Sequence, residues 1–360
     1  MLRLLLVVLL LASPLLAQGK GPSKPLAEAR QKACADLAEM RQAMAKKGMK
    51  GEAEDCDAIA AELKQPSKQL SAKGSGGPHP GDEAYEEVLV AWSDLGKRLA
   101  AIYEEAAAAL EGREKEEAET YAGWFATWDQ VGAGIRRLNR RRKFSKLAPV
   151  TCSWAGSLGG YLHGVYLEKN AHDPAVEGLG AHNEAAGLPG ATPEGAEAAG
   201  GILGGGGAEG SIDMWCGSRF HRDPVLNRGV GRVSFGGLPR GWWSCRAAPG
   251  GAPKQQPDVV VYPGDGDTEI PPVFFGEAPD PFPPGVRTSG TLVYVEFFKN
   301  RPKKPKWQLL DPDGTAVEIL TLDEHPLCFV AKESLKRNTK YTIEVTGQGG
   351  FKFTSTFTTY

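Results

Sequence analysis

Two histidines with acidic neighbours are the residues of this chain best suited to chemistry. His182 and His221 lie thirty-nine residues apart, each in a polar setting. Imidazole nitrogens bind zinc, copper and nickel, and carboxylate oxygens can complete such a site. The pattern therefore predicts that His182 and His221 bind zinc or another divalent metal. The candidate oxygen ligands are Glu184, Glu194 and Glu197.

Two nucleophilic side chains precede the second histidine. Cys216 and Ser218 lie five and three residues before His221, so a hydrolase or protease with His221 as its base is one alternative. A G-x-S-x-G turn and a positioned Asp are missing, and the pattern favours a non-catalytic protein over an enzyme. A structural spacer or adhesion protein, whose histidines are satisfied polar residues, is the other alternative. His163, in an apolar helical stretch, is predicted to be such a core residue.

The elements before these histidines have helical periodicity. Residues 26–65 are predicted to form an αα-hairpin, and the Pro, Gly and Ser content of 66–82 indicates a linker. Apolar residues recur at spacings of three and four over 83–111 and again from Tyr121 to Leu138. We therefore expect a helical segment over 83–127 that continues into a central domain at 128–275.

The elements around and after the histidines are predicted to be loops and strands. Residues 171–210 are rich in Gly, Ala and Pro, so GGILGGGG at 200–207 is expected to be a flexible loop. Strands are predicted at 229–237, 242–248 and 258–263, and helices followed by strands indicate the α+β class. A second linker is expected at 276–289. Short alternating strands over 290–360 predict an immunoglobulin-like β-sandwich.

The N-terminus predicts export. Residues 1–17 combine an Arg, an apolar run and a small residue at Ala17, which is typical of a secretory signal peptide. We therefore expect a secreted, periplasmic or cell-envelope protein, with no transmembrane span after signal cleavage. An oxidising compartment lets cysteines pair. Cys34 and Cys56 could join the helical hairpin, whereas the pairing of the other four cysteines stays open.

Charge gives no reason to expect nucleic acid as a partner. The 360 residues carry a formal net charge of −2, which also gives no reason to expect an anionic membrane. Residues 136–146 form a basic cluster, which we expect to be the solvated end of a helix, where cations suit the helix dipole.

The order of several motifs resembles one known family. The segments LNRRR (138–142), AHNE (181–184), MWCGSRFHR (214–222) and GVGRV (229–233) follow one another as in the bacterial branch of the CAP superfamily (cysteine-rich secretory proteins, antigen 5, pathogenesis-related 1). The resemblance covers roughly residues 128–263. It departs from the family at Gly217 and Ser218, where the second glutamate of the eukaryotic histidine–glutamate tetrad has no counterpart.

The resemblance implies a fold, a site and a function. The fold would be an α-β-α sandwich with a cleft, preceded by the helical region and followed by the β-sandwich. His182 and His221 would be the cavity histidines, Glu197 or Glu194 the cavity glutamate, and Trp215 and Arg222 supporting residues. Family members are mostly secreted and bind metals, sterols, lipids or other proteins. The implied function is thus non-catalytic binding of a divalent metal, or of a small apolar or envelope ligand.

Overall fold

The chain is a mixed α+β protein, as the order of its patterns predicts. The computed structural model describes residues 22–64, 81–248, 250–251, 253–286, 289–324 and 327–360. The predicted signal peptide and residues 66–80 of the first predicted linker lie outside the described residues. The helices are α1 Lys24–Lys46, α2 Lys50–Lys64, α3 Asp82–Ala108, α4 Gly112–Ala126, α5 Trp128–Phe144, α6 Ser157–Lys169, α7 Pro193–Ala199, α8 Gly207–Cys216 and α9 Asp223–Leu226.

The strands form three sheets within the described residues. The first has the order β1-β3-β4-β2, the second β10-β11-β7-β5 and the third β6-β13-β12-β8-β9. Their bounds are β1 Thr151–Cys152, β2 Ile202–Gly204, β3 Arg232–Gly237, β4 Trp243–Ala247, β5 Val259–Tyr262, β6 Asp267–Ile270, β7 Leu292–Phe297, β8 Lys306–Leu310, β9 Ala316–Val317, β10 Ile319–Glu324, β11 Leu327–Ala331, β12 Lys340–Gly347 and β13 Phe351–Thr359.

The predicted helical hairpin is confirmed, but it is not joined by a disulfide. Helices α1 and α2 pack against each other, and α1 also packs against α3. Cys34 Sγ lies 3.8 Å from the carbonyl oxygen of Ala60, one helical turn beyond Cys56. The register of the hairpin therefore separates the two thiols. All six cysteines fall within the described residues and all are free in this structure, so the expectation of disulfides stays a prediction.

The N-terminal helices share one core with the central sheet. Asp55 of α2 is buried and accepts hydrogen bonds from Arg232 of β3 at 2.8 Å and from the backbone of Trp154 at 2.9 Å. The Trp92 ring of α3 stacks on Trp154 at 5.0 Å and meets Trp128 of α5 at 5.2 Å. The divisions predicted at residues 65 and 127 therefore run through one packed core.

Helices cover both faces of the first sheet. The Phe235 ring contacts Trp215 of α8, with ring centroids 6.0 Å apart, and lies against Gly134 of α5. The next residue of β3, Gly236, lies against Ser157 of α6. Because successive residues of a strand face opposite sides of a sheet, α5 and α8 cover one face and α6 covers the other.

The prediction of a loop at 200–207 is wrong, and the strand predicted at 258–263 is present but belongs to another sheet. Residues 202–204 of the expected flexible loop form β2, whose Ile202 pairs with Cys245 and whose Leu203 is buried. The predicted strand at 258–263 does not join the central sheet. It forms β5, which pairs antiparallel with β7 from Val259 opposite Phe297 to Tyr262 opposite Tyr294. The C-terminal β region therefore begins before the boundary predicted at 275.

The basic cluster at the end of α5 is partly buried, contrary to the expectation of a solvated helix end. Arg141 contacts Asp267 at 2.6 Å and Asp213 at 2.9 Å. Arg142 donates hydrogen bonds to the backbone carbonyl oxygens of Ala148, Val225, Asn227 and Val230. Both arginines are buried because α5 packs against α3 on one side and α8 on the other.

Among the described residues, none of the helices combines the length and the apolar character that a bilayer span requires.

Candidate metal-binding site

The structure brings His182 and His221 together. Their rings lie almost parallel, with centroids 6.1 Å apart and an angle of 20° between the ring planes. His182 ends the 3-10 helix Gly178–His182, and His221 lies in the short turn between α8 and α9. Both side chains are partly exposed. The pair is thus accessible to a solute, whereas metal binding by the pair stays a prediction.

Hydrogen bonds orient both rings through Nδ1. Nδ1 of His182 lies 3.0 Å from the carbonyl oxygen of Gly201 and 3.3 Å from that of Ala199. Nδ1 of His221 lies 3.1 Å from Oε2 of Glu277. Carbonyl and ionised carboxylate oxygens only accept, so Nδ1 of each ring is the donor, and Nε2 of each neutral ring carries the free lone pair. Metal-binding histidines are held in the same way.

Glu277 is the residue of this site that the sequence analysis missed. Besides the His221 ring, its carboxylate accepts hydrogen bonds from the backbone N–H groups of Arg219 at 2.6 Å and Phe220 at 2.9 Å. Burial would raise the pKa of Glu277, but hydrogen bonds from His221, Phe220, Arg219 and Ser218 outweigh burial and lower the pKa. The residue lies in the Pro-rich segment predicted as a linker, where an isolated Glu carries no signal.

Replacing Glu277 should lower stability in a pH-dependent way. A carboxylate whose pKa is lowered by folding contributes to the free energy of unfolding. This contribution is complete above the unfolded-state pKa of about 4.3, and it is lost as the pH falls through the lower pKa of the folded state. We expect Glu277→Gln to cost about 1–2 kcal/mol at pH 7, since hydrogen bonds to a charged group are lost. Urea unfolding at pH 7 and at pH 3 measures this difference. An undiminished difference at pH 3 would contradict the role of the charge.

Glu184 does not face the two histidines, contrary to the prediction. Its Oε1 lies 2.9 Å from Nδ1 of His163, and its Oε2 accepts from the backbone of Thr192 at 2.7 Å. Nε2 of His163 lies 2.9 Å from the carbonyl oxygen of Ala181. His163 is therefore a buried, satisfied core residue, as predicted. The pair holds both ends of the segment that carries His182, so Glu184 positions the site without belonging to it.

The other two glutamates also fail to complete a metal site. Glu197 is exposed and its Oε1 contacts Arg246 at 3.0 Å. Glu194 lines a separate cavity with Tyr161 and Val165 of α6. Within the described ranges, no group of three or more His, Cys, Asp and Glu side chains could hold a metal ion. Neither Glu194 nor Glu197 therefore belongs to a group of side chains that could hold a metal ion in this part of the chain.

The two predicted supporting residues have different roles. Trp215 is buried and its Nε1 donates to the carbonyl oxygen of Leu203 at 2.8 Å, which fixes β2 next to the residues that His182 contacts. The Arg222 guanidinium lies 4.0 Å from the ring centroid of Tyr294 in β7, and its Nη1 donates to the carbonyl oxygen of Ser218 at 3.3 Å. Arg222 therefore contacts the turn that carries His221, and its membership of the histidine site stays a prediction.

Neither Ser218 nor Cys216, the two candidate nucleophiles, is hydrogen-bonded through its side chain to the His221 ring among the described residues. Ser218 Oγ accepts a hydrogen bond from the backbone N–H of His221 at 2.9 Å, and the Ser218 side chain also bonds Glu277. The Nδ1 side of the His221 ring is engaged by Glu277 instead of a nucleophile. Cys216 is fully buried, and burial raises the pKa of its thiol, so a nucleophilic thiolate is disfavoured.

Comparison with known proteins identified no relative of this chain. The chain matches no family model, no curated protein and no solved structure.

Proposed function

We propose that this chain is an exported, non-catalytic protein of the CAP type that binds a divalent metal, with zinc the best fit, through Nε2 of His182 and His221. The observation that carries the proposal is the pair of rings at 6.1 Å, each oriented by a hydrogen bond at Nδ1. A site with neutral imidazole ligands favours zinc over magnesium or calcium, which prefer oxygen.

Three further features support this assignment. The motif order from 138 to 233 and the helices on both faces of the first sheet fit a CAP-type sandwich. The two C-terminal sheets, in contact where Phe297 of β7 meets Phe351 and Phe353 of β13, fit an immunoglobulin-like module. The apolar run at 1–17 supports export to the envelope or beyond.

Zinc held by this pair would occupy an open site. His182 and His221 supply two nitrogen ligands, and the described residues add no third side chain to a metal-holding group. Tetrahedral zinc would then keep two positions for water or for donor atoms of a ligand. Zinc, when bound, supplies a positive charge and open coordination positions, which suit an envelope component with oxygen or nitrogen donors.

A structural tie is the second candidate function of this pair. The Glu277 carboxylate collects hydrogen bonds from His221, Arg219 and Phe220, so it joins the turn after α8 to the segment between β6 and β7. In that case His221 would serve only to hold Glu277. His182 would serve only to donate a hydrogen bond to the carbonyl oxygens of Ala199 and Gly201.

A zinc titration separates the two functions. We expect calorimetry on the tag-free chain to show one zinc per protein. His182→Ala and His221→Ala should each weaken binding by more than the roughly 10- to 100-fold that loss of a second-shell partner costs, because each removes a ligand. The matched control is His172→Ala, which removes an exposed histidine nearby in the sequence and should bind zinc like the wild type.

Two results would contradict zinc binding by this pair. If the wild type binds no zinc while His221→Ala loses stability, the histidine only holds Glu277. If zinc binding survives both substitutions, the ligands lie elsewhere.

A further inference from the structure

A cavity lies between the turn that follows His221 and strand β7. Its volume is about 530 Å³, and the charged and aromatic residues that matter for its lining are Arg219, Arg222, Asp223, Arg228, Tyr294, Glu296 and Phe298. Neither His182 nor His221 lines it, so the cavity is distinct from the proposed metal site. It lies where the helical part of the chain meets the C-terminal sheets.

Arg222 is a buried cation without an anionic partner in this cavity. It is 6% exposed, and within the described part of the chain it makes no ion pair and its Nε has no hydrogen-bond partner. Its Nη1 donates to the carbonyl oxygen of Ser218 at 3.3 Å and lies 4.0 Å from Sγ of Cys328. Burial raises the pKa of Cys328 to about 11, so the thiol is neutral at pH 7 and does not neutralise Arg222.

A second arginine contributes to the same cavity. The guanidinium of Arg228 lies 3.7 Å from the ring centroid of Phe298, and no ion pair involves Arg228 among the residues described. The third arginine, Arg219, is neutralised by Asp323 through two hydrogen bonds at 2.6 and 2.7 Å. Arg222 and Arg228 thus have no ion-pair partner among the described residues. The exposed Asp223 and the half-buried Glu296 are the acids that line the same cavity.

The strand side of the cavity is aromatic with one acid. Residues 294, 296 and 298 face the same side because side chains alternate along an extended segment. Tyr294 and Phe298 support the two guanidinium groups, and Glu296 between them accepts a hydrogen bond from the Tyr294 hydroxyl. Glu296 is thus the nearest negative charge of β7, and it opposes an incoming anion.

We propose that this cavity binds a small organic anion whose carboxylate or phosphate oxygens accept hydrogen bonds from Arg222, with Arg228 as a second positive contact. A buried cation favours a partner of opposite charge, and guanidinium N–H groups match the geometry of carboxylate and phosphate oxygens. The rings of Tyr294 and Phe298 favour a ligand that carries an aromatic or apolar group beside the anion.

Two aromatic anions and their neutral isosteres test the proposal. Binding of benzoate, phenyl phosphate, benzamide and phenol to the full chain is measured by ligand-observed NMR titration at low salt. We expect saturable binding of at least one anion and at least about tenfold weaker binding of its neutral isostere, because the charge-assisted hydrogen bond is lost. The stronger of the two anions identifies carboxylate or phosphate as the preferred group.

Variants assign the binding to this cavity. Arg222→Gln and Arg228→Gln should weaken binding, Arg222→Gln by about tenfold or more, and Glu296→Gln should strengthen it because a repulsive charge is removed. Arg240→Gln, at an exposed turn outside the cavity, should bind like the wild type. Arg228→Gln and Glu296→Gln keep the test valid if Arg222→Gln fails to fold, since neither side chain is fully buried.

Several results would overturn the proposal. One is the absence of saturable binding of either anion to the wild type, and another is binding of the neutral isosteres as tight as that of the anions. Unchanged anion binding by Arg228→Gln, together with no gain in Glu296→Gln, would also place the anion outside this cavity.

Discussion

Asp55→Ala is expected to lower the free energy of unfolding by about 3–5 kcal/mol, because it leaves the Arg232 guanidinium buried without its partner. Arg232 Nη2 lies 2.8 Å from the Asp55 carboxylate, and both side chains are almost fully buried. The same carboxylate also accepts from the backbone of Trp154. Burial raises the pKa of Asp55 in spite of the charge of Arg232, which shows how strongly the surroundings exclude water.

Urea unfolding at pH 7 measures this loss against a matched control. Asp57 lies two residues further along α2 and pairs with Arg41 at the surface. Asp57→Ala should therefore change stability by no more than about 1 kcal/mol. In Asp55→Ala combined with Arg232→Met, the loss should be smaller than the sum of the two single losses, since the unpaired charge is gone. Equal effects of Asp55→Ala and Asp57→Ala would show that the helical hairpin is not tied to the sheet by this pair.

Arg142→Met is expected to have a similarly large effect, about 3–5 kcal/mol, because it leaves one buried and three partly buried carbonyl groups without their donor at up to about 1–3 kcal/mol each. The four carbonyl oxygens lie at 2.7 to 3.1 Å from the guanidinium nitrogens. Burial lowers the pKa of Arg142 to about 10, so the side chain remains charged at neutral pH. Three of the acceptors lie in residues 225–230, directly after His221 and Arg222.

The neighbouring Lys143 provides the control for this substitution. Lys143 follows on the same helix with its side chain 77% exposed, and Lys143→Met should change stability by no more than about 0.5 kcal/mol. Thermal unfolding of the two variants gives the comparison. Because residues 225–230 continue into the lining of the anion cavity, Arg142→Met should also weaken benzoate or phenyl phosphate binding if the chain remains folded. Similar stability losses in both variants would mean that Arg142 is solvated after all.

Local periodicity was sufficient to predict most of the elements. The apolar spacing of 83–111 predicts α3 Asp82–Ala108, and alternation near the C-terminus predicts β12 and β13 within a few residues. Helices and strands are determined largely by which face of a short segment is apolar, and this is visible in the residues themselves. The same argument failed for Ile202–Gly204, where three residues among glycines become a strand only because β4 offers them a partner.

Local periodicity could not predict which distant segments pair or pack against each other. The pattern DVVVYP predicts a strand, but nothing in those residues specifies pairing with β7 in place of the central sheet. Arg141 and Arg142 belong to a run of basic residues that predicts a solvated helix end, and only the packing of α5 between α3 and α8 buries them. Charge and side-chain type are local properties, whereas burial depends on what the rest of the chain places nearby.

The same distinction between local sequence and tertiary structure applies to the two histidines. Residue type and motif order alone determined that His182 and His221 would be the residues to examine and that they could meet across the fold. Only the tertiary structure decided which acid serves them. It turns Glu184 toward His163 and brings Glu277, ninety-five residues after His182, to His221. A hydrogen bond needs two atoms within about 3 Å, and only the folded chain sets that distance between segments remote in sequence.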